Sequence, residues 1–207
     1  MNSKLEHTRP TLLLDRAAAG LRMTAEEFDA IGPGQFEEDY RYELIDGVLI
    51  VNPIEREEHS HPNDHLGYLL RDYQLHHPQG CALDVTLPER HVFIGNNRRK
   101  ADRVIWAGLG RRPDPRIDVP AIVVEFVSSG RRNWMRDYLQ KRDEYLSIGV
   151  KEYWIVDHFQ RTLTVYTPRS AGAAEHIVAE TDSYATPLLP GFQLPLAQLL
   201  AASDYWE

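Results

Sequence analysis

The hydrophobic positions of the chain fall into short segments, and their spacing predicts a mixture of strands and helices. The clearest strand is the apolar run at residues 121–127, which is too short for a helix and rich in β-branched side chains. An unbroken run of this kind is typical of a strand buried on both faces of a sheet. A helical pattern follows, with Trp134, Tyr138, Tyr145 and Ile148 near one another. We therefore expect a central strand followed by a helix that packs on the sheet.

The residues before this strand predict one hairpin and two helices. Thr24 to Glu27 form a capping-box pattern that begins a short helix. Asp46-Gly47 separates two apolar segments within residues 42–51, which is a strong signal for a hairpin. A longer helix is predicted from about residue 61 to 77, with an apolar face made of Leu66, Leu69, Leu70 and Tyr73.

The remaining pattern predicts further short strands and a final helix. Residues 96–100 are expected to form a turn. The strands are predicted at residues 82–87, 90–94, 104–106, 151–157, 162–167 and 176–180, and the helix at residues 196–203. This order predicts an α+β (or α/β) class, with a mixed central sheet flanked by helices.

Length and composition predict one globular domain. The chain has 207 residues, of which 43% are hydrophobic, which is enough for a sizeable core. We expect a flexible tail at residues 1–20 and a single domain at residues 21–207. The single cysteine, Cys81, excludes an internal disulfide and a cysteine-based zinc site, and it is expected in the core. No apolar run is long enough to span a membrane, so a cytoplasmic protein without a membrane partner is expected.

Charge is distributed unevenly along the chain. The formal net charge is −8, yet residues 98–142 contain twelve of the 23 Lys and Arg against five Asp and Glu, a local balance of +7. A basic segment on an acidic protein can attract phosphates locally, although an ordinary solvated face would give the same count.

One carboxylate interrupts the central apolar run. A charge at Glu125 costs several kcal/mol when buried unless it is paired or binds a cation. Pairing with a nearby arginine is one explanation. The other combines Glu125 with Asp102, because Mg²⁺ is usually bound by one or two carboxylates, and adds the ammonium of Lys141 from the next helix. Such a set suits phosphodiester hydrolysis.

Several spacings at these positions are jointly specific. They are Tyr42-Glu43-Leu44-Ile45-Asp46-Gly47, a histidine before the second helix, Asp102 ahead of Val104, Val124-Glu125-Phe126-Val127-Ser128, and Asp137, Lys141, Tyr145, Gly149-Val150 and Glu152-Tyr153-Trp154. In these features the chain resembles the Uma-two family of predicted endonucleases, within the PD-(D/E)xK restriction-endonuclease-like superfamily. The resemblance covers nearly the whole chain beyond residue 21.

The resemblance implies a metal-dependent endonuclease that hydrolyses DNA. It implies Asp102 and Glu125 as metal ligands and as catalytic residues together with Lys141, with Mg²⁺ as the cofactor and Mn²⁺ as a substitute. Nucleic acid, with DNA first, is the expected partner, and a homodimer is left open. Two alternatives also stay open: an inactive nucleic-acid-binding or scaffolding protein of this fold, and a hydrolase of another phosphoester.

The chain departs from the superfamily pattern at three positions. Val127 stands where a lysine is usual, and Lys141 on the next helix takes its place. Ala101 and Ser129 stand where proline is common, which changes the backbone and removes no ligand. The literal Pro113-Asp114 dipeptide is the less favoured alternative to Asp102, because prolines on both sides of Asp114 make a strand there unlikely.

Accessory roles are predicted for four residues: Glu43, His59, Asp137 and Tyr145. Asp137 is expected to pair with Lys141 at i, i+4. His61 is an alternative to His59, and zinc binding by His59, His61 and His65 is disfavoured because no cysteine ligand accompanies them. Nucleic-acid contacts are expected from a basic set that we predict to line the approach to the site: Arg98, Arg99, Lys100, Arg103, Arg131, Arg132 and Arg136.

Overall fold

The computed structural model describes residues 13–54, 60–127, 134–170, 172–202 and 204, which belong to two compact units. The smaller unit comprises residues 1–54 and 96–98, and the larger unit comprises residues 55–95 and 99–207. The α-helices are α1 (Ala25–Asp29), α2 (Ser60–His76), α3 (Trp134–Ser147) and α4 (Leu196–Ala201). Among the described residues, no helix is long and apolar enough to cross a membrane.

The smaller unit contains α1 and the predicted hairpin. Strands β1 (Tyr40–Ile45) and β2 (Val48–Pro53) pair antiparallel. Asp46 and Gly47 join them with φ values of 50° and 73°, both in the left-handed region that a type I′ turn requires. The capping box is also confirmed, because the side chain and backbone of Thr24 exchange hydrogen bonds with those of Glu27.

Residues 13–20, which fall within the predicted tail, have a defined local structure in this unit. Arg16–Ala18 form a short 3₁₀ turn, and Leu14 and Ala18 are buried. Residues 1–12 lie outside the described residues. The division of the chain into a tail and one domain stays a prediction.

A mixed sheet forms the centre of the larger unit. Its strands are β3 (Leu83–Ile94), β4 (Asn97–Ala107, whose first two residues belong to the smaller unit), β5 (Ile122–Phe126), β6 (Glu152–Asp157), β7 (Thr162–Pro168) and β8 (Ala173–Ala179). The order is β4-β5-β6-β7-β8, and β3 pairs with β4. Only the β5–β6 pair in this series is parallel. A separate two-stranded sheet joins β9 (Ser183–Tyr184) to β10 (Leu194–Pro195).

Strand β5 is central and buried throughout, as its apolar run predicts. Ile122, Val124 and Phe126 pack in one cluster with Leu66 and Leu70 of α2. Val123 and Val127 pack in another cluster with Tyr138 and Tyr145 of α3. Because successive side chains of a strand point to opposite faces, α2 covers one face of β5 and α3 covers the other. The α+β class with helices flanking the sheet is confirmed.

Three local predictions differ from the structure. Residues 82–94 form one strand and not two, because Glu89 adopts a left-handed φ of 51° and lets β3 continue past Pro88. A proline is tolerated there because β3 has a single partner strand. The turn predicted at residues 96–100 is shorter, since β4 begins at Asn97. Cys81 is exposed and does not lie in the core.

Candidate active site

Asp102 and Glu125 lie on the adjacent antiparallel strands β4 and β5, near the end of their regular pairing. Arg103 pairs with Val124, and Val104 pairs with Val123, in the antiparallel register of β4 and β5. Asp102 and Glu125 are the next residues on the two strands beyond Arg103–Val124, where the regular pairing ends. Glu125 projects to the face that α3 covers, since its carboxylate contacts Lys141 and Tyr145 of that helix.

Asp102 is fixed against β5 by its carboxylate. The backbone N–H of Phe126 donates to Asp102 Oδ2 over 2.7 Å. Beyond Arg103–Val124, the last regular pair of β4 and β5, this side-chain bond takes the place of a backbone hydrogen bond between the strands. Ala101 and Val104 pack in the same cluster although they are three residues apart, so the alternation of β4 is interrupted just before the site.

Glu125 is held from α3 by two donors that reach the same oxygen. Lys141 Nζ and the hydroxyl of Tyr145 each lie 3.1 Å from Glu125 Oε1. Glu125 is 2% exposed and Lys141 is 3% exposed, so the pair is buried on both sides. The prediction that Lys141 faces Glu125 agrees with this geometry. The buried charge of Glu125 is therefore paired with the ammonium of Lys141.

Tyr138 completes the contact between α3 and the end of β5. Its hydroxyl donates to the carbonyl oxygen of Phe126 over 3.1 Å, and Lys141 Nζ lies 5.9 Å from the centroid of its ring. That separation is within the range of a cation–π interaction. Lys141 is thus bounded by a carboxylate on one side and an aromatic ring on another, which fixes the ammonium in place.

A second polar network lies on the other face of β4, against α2. Arg103 is buried and donates to both oxygens of Asn63 and to the hydroxyl of Thr86. Burial lowers the pKa of its guanidinium to about 10, which leaves it charged near neutral pH. Asn63 in turn donates from Nδ2 to the carbonyl oxygen of Asp102 over 2.9 Å.

Asn63 has no predicted role in the sequence pattern, although a nearby glycine of α2 signals a close contact. Gly67 lies inside α2, where a glycine costs about 1 kcal/mol relative to alanine. A Cβ at Gly67 would stand 2.6 Å from Arg103 Nη2, so the glycine is needed for the guanidinium to lie against the helix. An isolated glycine in a helical pattern indicates such a close approach.

Several members of the predicted basic set are buried and engaged within the protein. Arg98 binds Asp29 in the smaller unit through two bonds of 2.8 Å. In the larger unit, Arg99 binds Glu144, and Lys100 lies 3.2 Å from Glu89. Together with Arg103, these arginines do not present exposed guanidinium groups, which differs from the expectation that they line an open approach. Their predicted role in nucleic-acid binding is untested.

The remaining predicted site residues lie on other elements or outside the described residues. Glu43 is buried on β1 in the smaller unit, and His61 is exposed near the start of α2. Asp114, the less favoured alternative to Asp102, lies in a loop and not in a strand, as expected from the prolines on both sides of it. The remainder lie outside the described residues: His59, Arg131 and Arg132, and the side chains of Arg136 and Asp137.

The predicted donor set for a metal consists of two carboxylates, Asp102 and Glu125. Within residues 13–54, 60–127, 134–170, 172–202 and 204, no group of three or more His, Cys, Asp and Glu side chains is arranged to hold a metal ion. Asp102 and Glu125 nevertheless supply the oxygen ligands that Mg²⁺ prefers, and Mg²⁺ needs only one or two carboxylates with water in the remaining positions. The chemistry of these two donors therefore fits Mg²⁺.

Comparison with known families identifies the relatives of this chain. Residues 25–197 match the model of the Uma2 family, which is described as "Putative restriction endonuclease". The chain belongs to the Uma2 family. Membership confirms the resemblance predicted from the residues and supports nuclease activity in general.

A solved structure with a similar fold agrees with this Uma2 assignment. The protein comes from Anabaena variabilis ATCC 29413 and is described as "a putative nuclease belonging to DUF820". The match has a TM-score of 0.67 and 15% sequence identity, and it covers 87% of this Uma2 chain and 99% of the other. At this identity the similarity shows the fold. A comparison with curated proteins gave no match.

Proposed function

We propose that this Uma2 protein is a metal-dependent endonuclease that hydrolyses DNA phosphodiester bonds. Asp102, Glu125 and Lys141 are its catalytic residues. The observation that carries the proposal is the contact of Lys141 with Glu125 on the strand next to Asp102, since two carboxylates and one ammonium are the groups that this hydrolysis needs.

Asp102 and Glu125 would hold the metal, which we propose to be Mg²⁺, with Mn²⁺ as a substitute. When bound, the metal supplies Lewis-acid stabilisation of the charge that develops on the phosphate. The chain orients both carboxylates in advance. The Phe126 N–H fixes Asp102, and the Tyr145 hydroxyl fixes Glu125. Such bonds to ligating carboxylates commonly tune metal affinity.

Lys141 supplies a positive charge at a fixed place. Its ammonium cannot swing freely, because Glu125 and the ring of Tyr138 bound it. A preorganised charge stabilises a developing negative charge without a reorganisation cost at the moment of reaction. We propose that Lys141 stabilises the transition state of phosphoryl transfer in this way.

DNA is the proposed substrate because the basic segment of the chain surrounds the site residues in the sequence. Arg131 and Arg132 follow the Glu125 strand directly and are the proposed phosphate contacts, although both lie outside the described residues. Cations near the reacting bond would bind the DNA backbone independently of its base sequence.

A non-catalytic nucleic-acid-binding protein is the second candidate function. The observation that favours it is the saturation of Glu125 Oε1 by two donors of the protein itself, Lys141 and Tyr145. A pair of this kind is also a complete structural ion pair. The two candidates differ in one outcome, which is whether the protein cleaves a phosphodiester bond.

The test is a cleavage assay with three substrates and three metal conditions. The wild-type protein is incubated with supercoiled plasmid, single-stranded DNA and RNA in the presence of Mg²⁺, Mn²⁺ or EDTA. We expect nicking or linearisation of the plasmid with Mg²⁺ or Mn²⁺ and none with EDTA. The Asp102→Asn variant, purified in parallel, identifies contaminating nuclease. Cleavage of RNA alone would overturn the DNA assignment, and DNA binding without cleavage would favour the second candidate.

A further inference from the structure

Asn63 connects helix α2 to the peptide group of a proposed metal ligand. It lies in the first turns of α2 and is buried, and its Nδ2 donates to the carbonyl oxygen of Asp102. The carboxylate of the same Asp102 accepts from the Phe126 N–H on β5. Asp102 is therefore held at two points, one on its backbone and one on its side chain.

The orientation of the Asn63 amide is dictated by its partners. The Asp102 carbonyl can only accept a hydrogen bond, and the guanidinium of Arg103 can only donate one. The NH₂ group must therefore face Asp102, and Oδ1 must face Arg103, whose Nε lies 2.7 Å away. A second bond of 2.7 Å joins Arg103 Nη2 to the backbone oxygen of Asn63. Arg103 thus fixes both the side chain and the main chain of Asn63.

This network is buried, and each of its bonds is between groups that would be costly to leave unpaired. Arg103 is 3% exposed, and its hydrogen-bond partners are neutral: the two Asn63 oxygens and Thr86 Oγ1. The carboxylate of Asp64 attracts the guanidinium electrostatically, but the hydrogen bonds of Arg103 go to neutral groups, and two of the three hold Asn63.

We propose that Asn63 is a positioning residue for Asp102, and that Arg103 and Gly67 keep Asn63 in the required orientation. The proposal rests on the proposed function, in which Asp102 is a metal ligand. Asn63 touches no substrate. It sets the peptide plane from which the Asp102 side chain leaves β4, and so it sets the carboxylate relative to Glu125.

Substitution by aspartate separates positioning from stability. Asn63→Asp keeps an acceptor for Arg103 and places a carboxylate beside its guanidinium, which offsets part of the stability that is lost at the Asp102 carbonyl. The same substitution removes the donor to the Asp102 carbonyl. Thr86→Val is the matched control, because it removes one bond from Arg103 and leaves the bond from Asn63 to Asp102 intact. A merely structural network would make Thr86→Val the more harmful of the two.

Two readouts are measured on both variants. The first is the hydrogen-exchange rate of the Phe126 amide by NMR, which reports the bond to Asp102 without any metal or DNA. The second is plasmid cleavage, where Asn63→Asp should lower kcat by about 10- to 100-fold with the KM for DNA unchanged, as is common for groups that orient metal ligands. Asn63→Asp should accelerate exchange of the Phe126 amide about tenfold or more, and Thr86→Val should alter neither quantity. Asn63→Ser, which adds no charge, is the second variant if Asn63→Asp fails to fold.

The outcomes distinguish this inference from the proposed function. Unchanged exchange of the Phe126 amide in the Asn63 variant would overturn the positioning role, and so would equal effects in Thr86→Val. A wild-type protein that cleaves nothing with Mg²⁺ or Mn²⁺ would overturn the proposed function instead. The exchange rate would still decide whether Asn63 positions Asp102.

Discussion

Lys141 and Glu125 lie on different elements, 16 residues apart in sequence, yet their side chains meet at 3.1 Å in a buried ion pair. The lysine arrives from α3, whereas Val127, which stands at the usual lysine position of the superfamily, is buried among apolar side chains. A helix residue therefore supplies a compensating charge to the buried carboxylate. A substitution at Lys141 is therefore expected to change both the stability of the protein and its activity.

Lys141→Ala should destabilise the protein and abolish cleavage. Removal of one partner leaves the Glu125 carboxylate buried without its ammonium, which costs about 3–5 kcal/mol. Urea unfolding measures that loss, and plasmid nicking with Mg²⁺ measures activity at a temperature where the variant is folded. Wild-type cleavage by folded Lys141→Ala would refute the catalytic role.

A double variant separates the two effects of Lys141. Glu125→Gln combined with Lys141→Met removes both charges and keeps side chains of similar size. Much of the lost stability should return, because no buried charge is left alone. Cleavage should not return, since both catalytic groups are gone. Cleavage by this double variant would show that the ion pair has no part in the reaction.

Asp102→Asn should abolish cleavage and preserve the fold. The amide oxygen can still accept from the Phe126 N–H, so the local hydrogen bond survives while the charge is lost. Calorimetric titration with Mn²⁺ should show weakened binding relative to the wild type. Asp84→Asn is the matched control, because Asp84 also accepts from backbone N–H groups, those of Leu109 and Gly110. Equal loss of Mn²⁺ binding in the control would contradict the assignment.

Tyr145→Phe should weaken both stability and activity by removing one donor to Glu125. A hydrogen bond to a charged group contributes about 1.5–3 kcal/mol, and the buried phenyl ring keeps its packing. We expect a lower urea midpoint and a reduced kcat. Tyr138→Phe loses a bond to the Phe126 carbonyl instead and should reduce stability with a smaller effect on kcat. A larger effect of Tyr138→Phe on kcat would count against the orientation of Glu125 by Tyr145.

Binding of DNA should fall steeply as salt concentration rises, because the proposed contacts neutralise phosphates. Charge reversal of Arg131 and Arg132 should weaken binding for every base sequence tested by fluorescence anisotropy. Charge reversal of Arg16 and Arg22, two exposed arginines of the smaller unit, changes the net charge equally and serves as the control. Salt-independent affinity, or equal effects in both pairs, would contradict the proposed phosphate contacts.

Tyr166 should contribute to an alkaline unfolding transition. Burial, together with a hydrogen bond to Glu175, raises the pKa of its phenol from 10.0 to about 12. A raised pKa in the folded state means that the contribution to stability is complete below pH 10 and is lost as the pH rises through about 12. Urea midpoints measured across that range should fall less in Tyr166→Phe than in the wild type. Tyr68→Phe is the matched control, because it makes the same replacement at an exposed tyrosine.

The contact between β5 and α3 could be predicted from the sequence, because the pattern of nearby residues determines each of the two elements. The apolar run indicates a strand buried on both faces, and a lone acid inside it calls for a partner. The helical spacing places Lys141 and Tyr145 together one turn apart, so both can reach the same carboxylate. The hairpin at Asp46-Gly47 was predictable for the same reason, since its turn residues determine the backbone.

The partners of the arginines could not be predicted because they depend on contacts distant in sequence. Arg98 binds Asp29, 69 residues away, and Arg99 binds Glu144, 45 residues away. A count of local charge treats such residues as exposed cations. The role of Asn63 was hidden for a different reason: an asparagine near the start of a helix is ordinarily read as a cap or turn residue.

The parallel pairing of β5 with β6 has a consequence for how activity could be lost in evolution. Parallel neighbours must be joined by a crossover segment, and α3 lies within that connection. The helix that carries Lys141 is therefore also the element that lets the two central strands run in the same direction. A descendant that abandons cleavage cannot discard this helix without losing the sheet. Inactive relatives should consequently retain α3 at its full length and differ from active ones by single residue replacements along its inner face.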